Sequence, residues 1–175
     1  MEQKKAKILM KLRNYKILKK KEFKGATGFV AKTPQGKALV YCIQSEGTVG
    51  VAYINQLAKT LEEEKIESAV VVIVGRYTQA ARKKARVHGI ELIPRIFPSF
   101  NIFDHEMVPK HEILPPNERQ ELLEKYRVKP YQLPNIKTSD PAVIAIGAKE
   151  GDVVKIIRNS QTAGEYNAYR YVVLG

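Results

Sequence analysis

Apolar residues recur along the first hundred positions with two alternating periods, and the alternation outlines a fold. Residues 1–24 set Ile8, Leu9, Leu12, Tyr15, Ile17 and Leu18 among lysine clusters, which predicts an amphipathic helix and then a strand. In GFVAKTPQGKALVYCIQ two apolar runs flank TPQGK, where Pro34 and Gly36 supply turn chemistry, so two strands are expected. VGVAYINQLAKTLEEEKIES places Val51, Ile54, Leu57, Ala58 and Leu61 on one helical face. SAVVVIVG is continuous and β-branched, as in a strand buried on both sides. GRYTQAARKKARVHGIEL follows as a second helix, and GIELIP as a last short strand. The order ββ-α-β-α-β predicts an α/β domain with helices packed on a mixed sheet.

A proline-punctuated stretch, PRIFPSFNIFDHEMVPKHEILPP, breaks this pattern. We place a boundary there, near residues 100–104, dividing the chain into domains 1–103 and 104–175. In the second domain, NERQELLEKYR reads as a helix capped by Asn117, with Leu122, Leu123 and Tyr126 facing inward. TSDPAVIAIG reads as a short helix, with Asp140 before Pro141 at its start and Gly147 at its end. DVVKIIRNSQTAGEYNAYRYVV reads as two strands around a loop containing Gly164. At about seventy residues this small α+β module is marginal alone, and docking on a partner would stabilise it.

Composition adds one discriminating fact. The formal net charge is +12, and residues 1–100 hold 20 Lys/Arg against 8 Asp/Glu, whereas residues 101–175 hold ten of each. The whole excess lies in the first domain, which suggests two modules of which one faces a polyanion. A solubilising lysine-rich surface is the alternative. No apolar run approaches the ~18 residues of a membrane span, and the basic N-terminus lacks the apolar stretch of a signal peptide. The single cysteine, Cys42, precludes an intramolecular disulfide and sits in an apolar strand as a core residue. These features describe a soluble intracellular protein.

The pieces HEMVPKHEIL, QLPNI, SDP, GDVVKIIR and TAGEYNAYRYVV, in that order, span residues 104–175. They resemble the small H-type subunit of archaeal RNA polymerase, whose eukaryotic relative is the fifth subunit shared by the nuclear polymerases. The wording GAKEGDVVKIIR is closer to the archaeal pattern, which points to the cytoplasm, with the nucleus as the alternative. The resemblance implies an assembly domain that clamps onto the largest subunit and does no chemistry. It marks His105, Pro109, His111, Arg158, Thr162, Glu165, Tyr169 and Arg170 as candidate subunit-binding residues. On the residues themselves, Arg158, Thr162, Glu165, Tyr169 and Arg170 place charge and hydroxyls at the ends and on one face of a hairpin. The face of Val153, Ile156 and Val172 fills a core. Arg158 and Glu165 flank the turn and are expected to pair as ions. His105 and His111, with Asp104, Glu106 and Glu112 nearby, have no tetrahedral ligand spacing, so no metal is expected there.

The first domain resembles the jaw of the eukaryotic relative, a restriction-endonuclease-like fold, and the core of Mrr-type nucleases. The string GKALVYCIQ…VGVAYINQLAKTLEEEKIESAVVVIVGRYTQAARKKARVHGIELI carries the likeness. Such a nuclease needs an acid on one strand and an acid or glutamine two residues before a lysine on the next. The carboxylates hold a metal that activates water, and the lysine steadies the phosphate. Here those positions carry Gly28, Tyr41 and Ile43. Neither Glu22, Glu46 nor Lys37 restores the spacing, so no catalytic residue, metal or cofactor is expected.

What remains is a basic face. Thr78 is a helix N-cap whose free N–H groups favour an anion, and Arg76, Arg82, Lys83, Lys84 and Arg86 surround it. In the eukaryotic jaw the corresponding turn approaches downstream duplex DNA, which the resemblance carries onto Tyr77, Thr78, Gln79 and Ala80. Only the alanine is kept from that turn's Thr-Pro-Ser-Ala. The sequence therefore reads as a non-catalytic RNA polymerase subunit with a DNA-proximal jaw. Its partners are the largest and other polymerase subunits and duplex DNA, touched through phosphates. No membrane and no small-molecule substrate enter. A metal-dependent structure-specific nuclease and a jaw serving only protein contacts are the alternatives.

Overall fold

The computed structural model describes every residue except 1, 24–25, 34–35, 44–46, 65 and 161–163, and not the side chain of Ser160. The expected turn residue Pro34 and the acid Glu46 lie outside the described residues. The chain divides into two compact units, residues 1–100 and 101–175.

In the first unit, α1 (Glu2–Leu12) buries Ala6, Leu9 and Met10 and turns Lys4, Lys7 and Lys11 to solvent. Asn14 ends it in the left-handed region at φ 54°, and Tyr15 N–H reaches back 2.8 Å to the Met10 carbonyl, a Schellman-type stop. The strands β1 (Lys16–Phe23), β2 (Ala26–Thr33) and β3 (Gly36–Ile43) form an antiparallel meander. After β4 (Thr48–Val49) and α2 (Val51–Glu63), β5 (Ser68–Ile73) runs parallel to β3. Then β6 (Arg76–Tyr77), α3 (Gln79–Val87) and β7 (Ile90–Ile93) follow, and the mixed sheet has the order β1-β2-β3-β5-β7. The parallel pair β4 and β6 is a two-residue ladder beside that sheet, too short to leave a period in the sequence.

Alternation along the strands divides the sheet into two faces. Leu39, Tyr41, Ile43, Val71 and Ile73 pack against Ile54, Leu57 and Leu61 of α2 and against Ala81 and Ala85 of α3. α1 covers the other face. There Gln3 Nε2 donates to Thr27 Oγ1 at 3.3 Å, and Arg13 grips both Glu91 oxygens at 2.7 and 2.6 Å. β5 is covered on both faces, as its unbroken apolar run predicts. Cys42 lies buried on the α1 side, and burial pushes its thiol up to about 12.

The second unit opens with a 3₁₀ turn (Ile102–Asp104), β8 (Lys110–Ile113) and α4 (Pro116–Tyr126). β9 (Asn135–Lys137), α5 (Pro141–Ile146), β10 (Val153–Ser160) and β11 (Gly164–Val173) complete a sheet of order β8-β10-β11-β9. α5 starts and stops as expected, since Asp140 Oδ1 accepts from Ala142 N–H at 2.8 Å and Gly147 takes φ 77°. α4 does not begin as expected. Its N-cap is Pro115 rather than Asn117, because Pro116 fits the first helical position, where no N–H partner is needed. Tyr126, expected inward, is 57% exposed; it falls in the last turn, beyond the reach of the Leu122 contact with Val153.

Candidate functional site

The basic helix is set by its own small residues. Thr78 Oγ1 accepts from Ala81 N–H at 3.1 Å, capping α3 as expected. Ala81 and Ala85, one turn apart, are its buried positions and let the backbone approach the core closely. Gln79, Arg82, Lys83 and Arg86 consequently stand exposed, while Lys84 is half-buried. The ladder to β4 fixes the approach to this helix, pairing Arg76 with Thr48 and bonding Thr78 N–H to the Val49 carbonyl at 3.2 Å. Among the described residues, none of these five cations forms a salt bridge.

Tyr77 departs from the expected DNA-facing group. Its phenol points inward, with its oxygen 2.8 Å from the Val71 carbonyl and 3.1 Å from that of Ile93. Burial raises its pKa far above an ordinary phenol's. As the second member of a two-residue strand it must alternate with exposed Arg76, which is why a linear reading of the turn misplaces it. Tyr77→Phe should cost about 1–2 kcal/mol by leaving buried carbonyls short of a donor. Urea unfolding checks this, and an unchanged midpoint would contradict the assignment.

Gly28, Tyr41 and Ile43, where the nuclease resemblance expects acids and a lysine, lie in a tightly packed, largely apolar layer. Gly28 pairs with Tyr41, and Ala26 with Ile43. Phe23 lies over them, its ring centroid 5.3 Å from that of Tyr41. A Cβ on Gly28 would stand 2.7 Å from Phe23 Cε2 and 3.3 Å from Leu39 Cδ1. Tyr41 and Ile43 are 6% and 2% exposed. Glu22 and Lys37 cannot combine, because their ladder positions are five residues apart, about 17 Å along a strand. Among the described residues, no three His, Cys, Asp or Glu side chains gather as a metal site.

In the second unit, register corrects the expected one-faced hairpin. Arg158 stands opposite Tyr166, and Glu165 opposite Asn159, so Arg158 and Glu165 point to opposite faces and cannot pair across the ladder. Glu165 shares its face with Lys110, whose charge is favoured chiefly by its ion pair with Glu112 and to a lesser extent by Glu165. Val153 likewise faces α4 with Tyr169 and Tyr171, whereas Ile156 and Val172 face α5. The split gathers four expected residues on the α5 side. Pro109, His111, Arg158 and Arg170 line one surface depression with Asn135 and Asp140, floored by buried Ile156. His111 Nδ1 lies 2.8 Å from the Pro109 carbonyl, and its ring lies against Phe103. Arg170 donates weakly to the Asn135 carbonyl at 3.4 Å. His105 serves its own turn, accepting from Met107 N–H at 3.2 Å. Thr162 lies outside the described residues. Asn135 and Asp140 join the depression without having been expected there; they sit in QLPNI and SDP, the strings that carry the resemblance.

Comparison with known proteins follows the same division. Residues 100–172 match the family model of the C-terminal domain of RNA polymerase Rpb5. DNA-directed RNA polymerase subunit Rpo5 of Thermococcus kodakarensis is 62% identical over 74 residues, 42% of this chain and 90% of that one. This chain belongs to the Rpb5 family. The family's eukaryotic branch aligns more widely, since subunit RPABC1 of DNA-directed RNA polymerases I, II and III from Caenorhabditis elegans is 35% identical over 132 residues. That match spans 73% of this chain and 63% of the worm protein. Residues 4–96 match the restriction endonuclease family model, so this Rpb5-family chain couples a restriction-endonuclease-like unit to its C-terminal domain. A solved structure of EndoMS in apo form has a TM-score of 0.38 at 15% identity, covering 53% of this chain and 44% of that one.

Proposed function

We propose that this chain is a non-catalytic subunit of a multisubunit DNA-directed RNA polymerase. Residues 104–175 dock on the largest subunit, and residues 1–103 form a basic jaw beside the downstream duplex. The observation that carries the reading is the 62% identity to an archaeal polymerase subunit across nearly all of that subunit's length. The filled positions at Gly28, Tyr41 and Ile43 speak against the nuclease alternative. The relatives are polymerase subunits of archaea and eukaryotes, so the location is the cytoplasm or the nucleus. The higher archaeal identity favours the cytoplasm.

On this reading the depression around Arg158, Arg170 and His111 receives the largest subunit, where guanidinium forks bind carboxylates or carbonyls. The α3 face meets phosphates without reading sequence. Reconstitution with the other polymerase subunits tests both. Arg158→Glu with Arg170→Glu should abolish incorporation of the chain. Arg82→Glu, Lys83→Glu and Arg86→Glu should leave incorporation intact and reduce the salt dependence of duplex retention by about 0.9 log units for each phosphate contact removed. Lys84 is spared in that set because it is half-buried. Full incorporation of the double variant would overturn the docking site, and unaltered retention by the triple variant would overturn the DNA contact.

A further inference from the structure

The α3 cluster accounts for only part of the charge on the first unit. Residues 1–24 alone hold ten Lys/Arg against two Asp/Glu, a net +8, and the proposed function leaves them unused. Those on α1, with Lys20 on β1, belong to the opposite face of the sheet from α3, whereas Lys21 reaches Glu64 at the end of α2. α1 touches that face through Thr27 and Glu91, which pair with Cys42 and Val70, whereas α2 and α3 pack on Tyr41 and Val71.

Lys4, Lys7 and Lys11 are exposed, and at 100° per residue they fall within about 60° of one another on the helix. They stand opposite the buried Ala6, Leu9 and Met10. From Lys4 to Lys11 the helix rises about 10 Å, the axial span of about three phosphates of one DNA strand. Among the described residues, none of the three has a salt-bridge partner. Of the nearby acids, Glu91 is engaged with Arg13 at 2.6 Å and Glu22 with Lys20 at 2.9 Å, while Glu2 acts on Lys5. Lys20 stands on this same face, opposite Phe29.

We propose that this lysine stripe on α1 is a second polyanion-binding face, and that its partner is the phosphate backbone of duplex DNA separate from the segment facing α3. The residue types favour DNA over an acidic protein. Protein hot spots are rich in arginine and aromatic anchors, but the one arginine here, Arg13, is turned inward to Glu91. What faces outward is lysine, a point charge suited to phosphate without bidentate geometry. Nor does a lipid surface fit, because the apolar side of α1 is spent on the sheet. This inference is independent of the α3 reading.

The test uses the full chain and a short duplex of mixed sequence, following binding by anisotropy across a salt series and duplexes per chain by sedimentation. Lys4→Gln, Lys7→Gln and Lys11→Gln keep helix propensity and, by removing three phosphate contacts, should lower the salt slope by about 2.7. The stoichiometry should drop by one duplex per chain. Arg82→Glu, Lys83→Glu and Arg86→Glu should leave one duplex bound through α1. Circular dichroism confirms that both variants stay folded. A glutamine variant with the wild-type slope and stoichiometry overturns the proposal, leaving the stripe to an acidic protein or to solvent. Loss of all binding in the α3 variant overturns it equally, because the α1 face would then hold nothing by itself.

Discussion

Gly28→Asp is expected to destabilise the first unit without producing a nuclease. The substitution puts an acid where the nuclease resemblance expects a metal ligand, so a naive reading predicts gained cleavage. The packing predicts otherwise. The new Cβ would lie 2.7 Å from Phe23 Cε2 and 3.3 Å from Leu39 Cδ1, and relief requires Phe23 to swing off Tyr41. Overpacking costs about 1–3 kcal/mol, and a carboxylate set among apolar side chains adds about as much. A total of about 3 kcal/mol in a unit of this size lowers Tm on the order of 12–24 °C. Calorimetry and incubation of labelled duplex with Mg2+ check both parts. Chelator-sensitive cleavage by a folded Gly28→Asp chain would refute the view that this frame has been filled.

The second large effect concerns Arg13. Its side chain is 3% exposed, and its forked contact with Glu91 ties the end of α1 to β7. Burial works against its charge, but hydrogen bonding to Glu91 and that residue's charge, joined by smaller contributions from Tyr15, together outweigh burial and raise the pKa. Arg13→Met should therefore cost about 2–3 kcal/mol, less than the about 3–5 of a fully buried pair because Glu91 remains partly wet. A double-mutant cycle with Glu91→Leu isolates the interaction. If Arg13→Met costs the same in the Glu91→Leu background, the lost energy is packing and the ion pair contributes nothing.

Local chemistry is legible in the sequence wherever one residue dictates one backbone state. Thr78, Asp140 and Gly147 cap helices as expected because each acts on atoms within a few residues of itself. The apolar run of β5 declares a strand covered on both sides. What escapes prediction is relational. The faces of Arg158 and Glu165 depend on strand register across a turn, and flanking that turn does not put two side chains on one side. Tyr77 reads as outward because a pair of residues has no period to reveal its direction. Pro115 and Asn117 compete for one helix start, and Pro116 decides it. The basic face of α3 is visible from composition, yet the alanine pair that turns it outward matters only once the sheet is in place.

The Arg13–Glu91 clasp also orders the birth of the first unit. The two residues are 78 positions apart, about 4–16 s of synthesis. α1 is thus made before every strand it covers, while the β1-β2-β3 meander can close by local contacts. During that interval the side of the helix bearing Leu9 and Met10 can rest on the growing sheet through β2 and β3, but its β7 anchor is missing. The earliest described helix of the unit is therefore locked at its C-terminal end only when β7, the last strand of its sheet, is in place.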